Sequence, residues 1–338
     1  AAELSGDLAA NNITSYYSPF FTYGERDQTG VVSLLHFGDI MLDRNVKKII
    51  DRQGENFLLQ NLAGTENRFF SGVDIVAANL EGPFADTRRP TSKSIAFRFD
   101  PKLIPMLRRY RFSLFTNANN HTYDMGRTGF IESQDNLRQA GLDFYGEQFQ
   151  VNEKSLLIRA VGGKKLAFIG LNDTHAPQLP VDMKKTLALL KQAEAEADLT
   201  IINIHWGQEY KTISNERQRD LAHAFIDAGA DVVIGHHPHV VEEMEIYKNR
   251  PIFYSLGNFI FDQYFSETTQ QGMGVGLVFY DTATAVTLFP LVSETSSVRQ
   301  MSGPKRASFM RNFIDTSRLG AYNLDASYHL IIPYEKNR

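Results

Sequence analysis

The chain has 338 residues, 43% of them apolar, a formal net charge of -4 and no cysteine. Length and apolar content suit one large globular domain or two small ones. The mild charge argues against a nucleic-acid binder, and no apolar run reaches the roughly 18 residues that a membrane helix needs.

Without cysteine there are no disulfides, thiolate metal sites or thiol nucleophiles, so histidines and carboxylates are left for any metal chemistry. Residues 1–30 read as an N-terminal arm, with Tyr16, Tyr17, Phe20, Phe21 and Tyr23 around Pro19. Aromatics that dense are expected to pack along a neighbouring surface. The chain opens at Ala1 with no Met and no basic-then-apolar leader. The expectation is an extracytoplasmic protein, at the cell surface or in the periplasm, after removal of a signal segment; absence of cysteine fits such a location. Residues 31–295 carry the periodic elements, and 296–338 form a tail with no assignable pattern.

The first strand is expected over 31–37, running into Gly38-Asp39, with a helix over about 43–52. Asp39 stands either as a ligand past a strand end or as a helix cap. The second strand, 73–77, runs into Asn79-Leu80-Glu81-Gly82-Pro83, where Gly and Pro force a turn. Between 88 and 111 lie Arg88, Arg89, Lys93, Arg98, Lys102, Arg108, Arg109 and Arg111 against Asp100. That run is a solvated face or, more sharply, an anion-attracting rim. A helix over 101–110 leads to a strand over 112–115, which feeds Asn119-Asn120-His121 with Asp124 and Gly126. An Asn-rich turn explains this stretch; so does a set of side chains sharing a cleft with Asp39 and Glu81.

A helix over 128–139 and a short strand over 142–145 follow, then a hairpin of 156–161 and 165–171 around Gly162-Gly163. Asn172, Asp173 and His175 come after it, in a longer loop. A helix over 182–197 precedes a strand over 199–204 that ends in His205, beside Trp206. A helix over 216–228 precedes the run Asp231-Val232-Val233-Ile234-Gly235-His236-His237-Pro238-His239. This is a β-branched strand emptying into three of the chain's nine histidines, with Pro238 fixing φ between His237 and His239. A strand over 252–256 is followed by a Gln/Gly-rich loop over 268–276 and a closing antiparallel pair, 276–280 with 285–291.

Five strands thus end in Asp39, Glu81, Asn120-His121, His205 and His237/His239. Strand C-terminal ends share one edge of a parallel sheet, where open α/β folds place their sites. Carboxylates, an amide and imidazoles suit one or two divalent ions such as Mn, Fe or Zn. Paired ions serve the hydrolysis of phosphate esters and make a protein nucleophile unnecessary.

The runs Gly38-Asp39-Ile40-Met41-Leu42, Asn79-Leu80-Glu81-Gly82-Pro83, Ala118-Asn119-Asn120-His121, His205-Trp206-Gly207, Gly235-His236-His237-Pro238-His239 and Ser255-Leu256-Gly257-Asn258-Phe259 resemble, in that order, the CapA family. That family is associated with poly-γ-glutamate capsule synthesis and lies in the calcineurin-like metallophosphoesterase superfamily. The resemblance implies an α/β fold: a β-sandwich of mixed sheets flanked by helices, with the site at one edge. It implies that Asp39 binds a first ion, that Glu81 bridges, and that Asn120 and His205 bind a second. His237 and His239 would supply one nitrogen to each ion. His121 would protonate the leaving oxygen, oriented by Asp124. Arg44, Glu209, Asn258 and Asp262 also match family positions; the first three are candidates for holding substrate, with a salt bridge or helix cap as the plain alternative.

The chain departs from the superfamily where Asp-x-His becomes Asp39-Ile40-Met41, removing one imidazole from the first ion. His236 or His36 would have to replace it, and for His36 a core role is expected. Two readings follow. One is a metal-dependent hydrolase of phosphoester or γ-glutamyl amide bonds in capsule polymer synthesis, alongside capsule-synthesis membrane partners. The other is a non-catalytic surface protein binding an anionic polymer or an assembly partner, motivated by the thinned metal motif and the basic stretch. No Gly-x-Ser-x-Gly elbow or phosphate-binding Gly-Lys loop is present.

Overall fold

The computed structural model describes residues 30–333. Residues 1–29, most of the expected N-terminal arm, lie outside it. The first sheet contains β1 (Val32–Ile40), β2 (Ile75–Leu80), β3 (Phe112–Thr116) and β4 (Asp143–Tyr145), all parallel. The second is built on β5 (Leu156–Val161), β6 (Lys164–Asn172), β7 (Leu199–His205) and β8 (Val232–His236), and β6, β7 and β8 run parallel. Two further strands, β9 (Met244–Tyr247) and β10 (Arg250–Phe253), close that sheet, with β10 parallel to β8 and β9 antiparallel to β10. A short β11 (Asn258–Ile260) joins β1 in parallel; β12 (Gln271–Phe279) extends the first sheet antiparallel to β1, and β13 (Ala283–Glu294) pairs antiparallel to β12.

Alternation along the strands explains the layering. In β1, Val32 and Leu34 enter the core between the sheets, while Leu35 and Phe37 enter the core beneath the outer helices. Leu199 and Ile201 likewise face the first sheet, and Ile202 and Ile204 face α-helices on the far side. Period-two placement of apolar residues on both faces is what a strand buried on both sides requires. The helices Arg44–Gln53 (α1), Ile104–Arg109 (α2), Gly126–Gln139 (α3), Met183–Glu196 (α4) and Glu216–Asp227 (α5) lie in the order the sequence suggests. The architecture is therefore mixed α/β: two mixed sheets flanked by helices. Among the described residues no helix is long and apolar enough to cross a membrane.

Three readings of the sequence need revision. The stretch 268–276, expected as a loop, is mostly strand from Gln271 onward. Its glycines serve close packing: a Cβ on Gly272 would stand 2.3 Å from the Asn258 carbonyl oxygen, and one on Gly274 would stand 3.0 Å from the Phe37 ring. The unassigned tail carries β14 (Ser297–Gln300), α6 (Gly303–Thr316) and β15 (His329–Pro333). Both strands pair with β13, so this stretch completes the first sheet. The basic run is not uniformly free: five of its eight cations are engaged within the protein. Arg88 pairs with Asp43, Arg89 with Glu132, Lys93 with Asp124 and Arg109 with Glu55; Arg98 donates to the carbonyls of Ala85 and Asp86.

Candidate metal centre

The C-terminal ends of β1, β2, β3, β7 and β8 meet at one edge shared by both sheets. Asp39, Glu81, His205, His237 and His239 are all buried there. Asp39 does not cap α1; that place is taken by Asp43. Glycine sets the approach of the strands. A Cβ on Gly38 would lie 1.9 Å from the Gly257 carbonyl oxygen, which accepts the Asp39 N–H at 3.1 Å. The turn after β8 is strained: His237 has φ 100° and His239 φ 59° on either side of Pro238. Positive φ at two bulky residues costs on the order of 1–3 kcal/mol each, a kind of strain that concentrates at functional sites.

A chain of buried amides holds the first carboxylate. Asn79 Nδ2 donates to Asp39 Oδ1 at 2.8 Å, and Asn119 Nδ2 donates to Asn79 Oδ1 at 3.0 Å. His236 Nδ1 lies 3.4 Å from Asp39 Oδ1, and His239 Nδ1 lies 3.6 Å from Asp39 Oδ2. Burial opposes ionisation of Asp39, yet its bonds to His236 and His239 hold its carboxyl well below the usual range. Glu81 is the opposite case. Burial, then the charges of Asp39 and Glu209, push its carboxyl well up, and neither oxygen has a hydrogen-bond partner.

Two of the imidazoles, His205 and His237, are held neutral. Burial and the His237 ring depress His205 well below its ordinary range, and burial with His239 takes His237 down to about 3. Neutral imidazole is the form that binds a metal. His205 Nε2 and Asn120 Oδ1 face each other at 2.9 Å, and His237 Nδ1 has no partner. Asn258, expected at the substrate, is buried behind His239, where its Oδ1 accepts from His239 Nδ1 at 3.0 Å.

A buried polar atom left unpaired costs about 1–3 kcal/mol. Leaving both Glu81 oxygens and His237 Nδ1 unpaired in one pocket is the signature of a site built for a further ligand. Asp39, Glu81 and His239 present donor atoms all within 4.8 Å of one another, and so do Glu209, His237 and His239. Two carboxylates with one imidazole, and one carboxylate with two, are donor sets suited to a divalent transition ion. The residues present therefore fit the metal that the sequence implies.

His121 sits at the rim, its side chain 12% exposed. Its Nδ1 lies 2.6 Å from Asp124 Oδ2, its Nε2 lies 3.8 Å from Glu81 Oε1, and its ring stacks on Phe97. Lys93 Nζ donates to the other Asp124 oxygen at 2.6 Å. Sequence reasoning counted Lys93 only as part of a charge run; nothing local marks its reach across 31 residues to Asp124. Arg44 is paired with Asp262, and its guanidinium lies 5.0 Å from the Phe97 ring centroid.

Other candidates fall elsewhere. His36 is buried in the core, bonded to the Phe37 carbonyl and Asn203, with its pKa taken down to about 3 by burial. His236 stacks on it at 5.4 Å. Met41 cannot easily serve as a substitute ligand, because its sulfur accepts the Asp43 N–H at 3.1 Å. Asp173 clamps Arg217 through both carboxylate oxygens, and His175 stacks on Phe149.

Comparison with known proteins agrees with the motifs. The PGA biosynthesis protein CapA of Bacillus subtilis (strain 168) is 32% identical over 257 residues, covering 72% of this chain and 67% of that protein. The capsule biosynthesis protein CapA of Bacillus anthracis is 32% identical over 256 residues, covering 70% of this chain and 61% of its own length. Among solved structures, a phosphatase from Mycoplasma pneumoniae is similar over 83% of this chain and 98% of its own, with 12% identity and a TM-score of 0.48. A putative 5'-nucleotidase from Staphylococcus aureus is similar over 84% of this chain and 58% of its own, with 15% identity and a TM-score of 0.46. The family model described as bacterial capsule synthesis protein PGA_cap matches residues 33–263, and the chain belongs to that family, the CapA family.

Proposed function

We propose that this protein is a metal-dependent hydrolase acting on phosphoester bonds in the synthesis of a poly-γ-glutamate capsule. One observation carries the reading: buried carboxylates and neutral imidazoles from both sheets converge with metal-binding atoms left unpaired. Asp39, Glu81 and His239, with His237, His205 and Asn120, would hold one or two divalent ions of the Mn, Fe or Zn type. Such ions supply Lewis acidity and lower the pKa of water towards neutrality. The chain's own residues do the rest. Asp124 holds His121 with Nε2 turned to the pocket, where the ring, protonated on both nitrogens and paired with the Asp124 carboxylate, would give its Nε2 proton to the departing oxygen. Phe97 packs against the His121 ring and Phe261 against the His239 ring, beside Arg44, whose guanidinium lies near both phenyl rings.

The capsule context comes from the Bacillus anthracis relative, a capsule biosynthesis protein by name, and the polymer context from the Bacillus subtilis relative, a PGA biosynthesis protein by name. Membrane-bound synthesis partners and an extracytoplasmic location belong to the same proposal; cell fractionation tests the second. The motifs do not choose between phosphoester and γ-glutamyl amide cleavage, so both substrates belong in the assay. A binding role for an anionic polymer is the second reading; its support from the basic run is weakened by pairing of Arg88, Arg89, Lys93 and Arg109 within the protein.

The test is turnover of an aryl phosphate and a γ-glutamyl anilide with Mn or Zn added, for wild type and His205→Ala. Metal-dependent turnover lost in the variant supports the hydrolase. Equal inertness of both proteins on both substrates overturns it.

A further inference from the structure

Glu209 stands outside the ligand set implied by the family resemblance, which offers it only as a substrate contact. In the structure its carboxylate oxygen, a His237 nitrogen and a His239 nitrogen lie within 4.8 Å of one another. The two imidazoles are buried and Glu209 is exposed, so the carboxylate closes the pocket from the solvent side. His237 is 8% exposed and its Nδ1 has no partner. That unpaired nitrogen is an observation independent of the acidic residue.

The backbone fixes this placement. After β7 the chain turns at Gly207, with φ 84°, and a Cβ there would meet the Gln218 side chain at 2.7 Å. Tyr210, also at positive φ, donates its N–H to the Pro238 carbonyl at 2.8 Å. Pro238 lies between the two histidines. The loop bearing Glu209 is thus clipped to the loop bearing His237 and His239.

We infer that Glu209 is a metal ligand, sharing a divalent transition ion with His237 and His239. Two imidazoles and one carboxylate, with a further position open to solvent or substrate, form a donor set known for catalytic zinc. Asn258 occupies His239 Nδ1, which leaves Nε2 as the ring's metal-binding atom. Glu81 Oε1 lies 3.8 Å from that Nε2. The inference rests on the metal-holding reading above and extends it to this residue.

The test is titration of metal-free wild type, Glu209→Gln and Glu209→His with zinc against a chromogenic chelator. It is paired with the visible spectrum of the cobalt-loaded proteins and with melting temperatures in chelator. A ligand role requires Glu209→Gln to bind at least about tenfold more weakly or to lose an equivalent. The cobalt spectrum changes, while the melting temperature in chelator stays at the wild-type value. Glu209→His, which keeps a donor atom, recovers binding. Wild-type affinity, stoichiometry and spectrum in Glu209→Gln overturn the ligand role and leave the hydrolase standing. A wild type that takes up no zinc overturns both.

Discussion

Asn258 Oδ1 lies 3.0 Å from His239 Nδ1, and this one bond decides which nitrogen of the ring faces Glu81. Asn258 is anchored in turn, its Nδ2 donating to the Thr269 carbonyl at 2.9 Å. An amide behind a ligating imidazole fixes both tautomer and ring orientation. Asn258→Ala is expected to weaken metal binding by roughly 10–100-fold. Competition titration with a chelator measures it, and wild-type affinity in the variant shows that the bond does not position the ring.

Lys93, Asp124 and His121 form a relay of contacts into the pocket, at 2.6 Å for each link. Lys93 touches no reacting atom; it positions Asp124, which positions the imidazole. Lys93→Met is expected to lower kcat about tenfold with KM little changed, well short of the ~10²–10⁴ expected for His121→Ala. Lys93→Arg keeps most of the activity. A loss confined to KM places Lys93 in substrate binding instead.

The close approach of β8 to the chain just past β10 allows no side chain at Gly235, where a Cβ would stand 1.9 Å from the Tyr254 carbonyl oxygen and 2.4 Å from Trp206 Nε1. Gly235→Ala is expected to destabilise the fold by about 1–3 kcal/mol through overpacking. Urea denaturation reads this directly. An unchanged midpoint means that the backbone yields without cost.

Glu242 gives a pH signature away from the metal centre. Burial, with Glu243 adding to it, pushes its carboxyl from 4.5 up to about 8, and its Oε1 has no partner. The folded state therefore holds a proton that the unfolded state has released. Stability from this group is full below about 4.5 and is lost as pH rises through about 8. Glu242→Gln, which stays neutral, is expected to equal wild type near pH 4 and to exceed it by a few kcal/mol above pH 8. Parallel stability curves for the two proteins across that range contradict the shift.

Much of the site is legible in the sequence because it sits where apolar strands stop. Asp39, Glu81, His205 and His237 each follow a run whose alternation marks a buried strand, and parallel strands bring such ends to one edge. The pattern fails where side chains do not report the structure. Gly272 and Gly274 read as loop, yet they are glycines because neighbouring backbone and the Phe37 ring leave no room for a Cβ. Residues 297–300 and 329–333 are too short to show a period, and their pairing with β13 is a long-range event. Asn258 and Glu209 stood in matched motifs, but a motif does not say on which side of an imidazole a residue lies. Lys93 was hidden in a run of cations, since only the fold shows which of them reaches a buried carboxylate.

The most direct measurement is elemental analysis of the purified protein after equilibration with Mn and Zn and removal of excess ion. A pocket built on Asp39, Glu81, His205, His237 and His239 requires one to two equivalents in wild type, and a near-complete loss in an Asp39→Asn, His239→Ala double variant that still folds. Wild type without bound metal, or a double variant that retains the wild-type content, contradicts it.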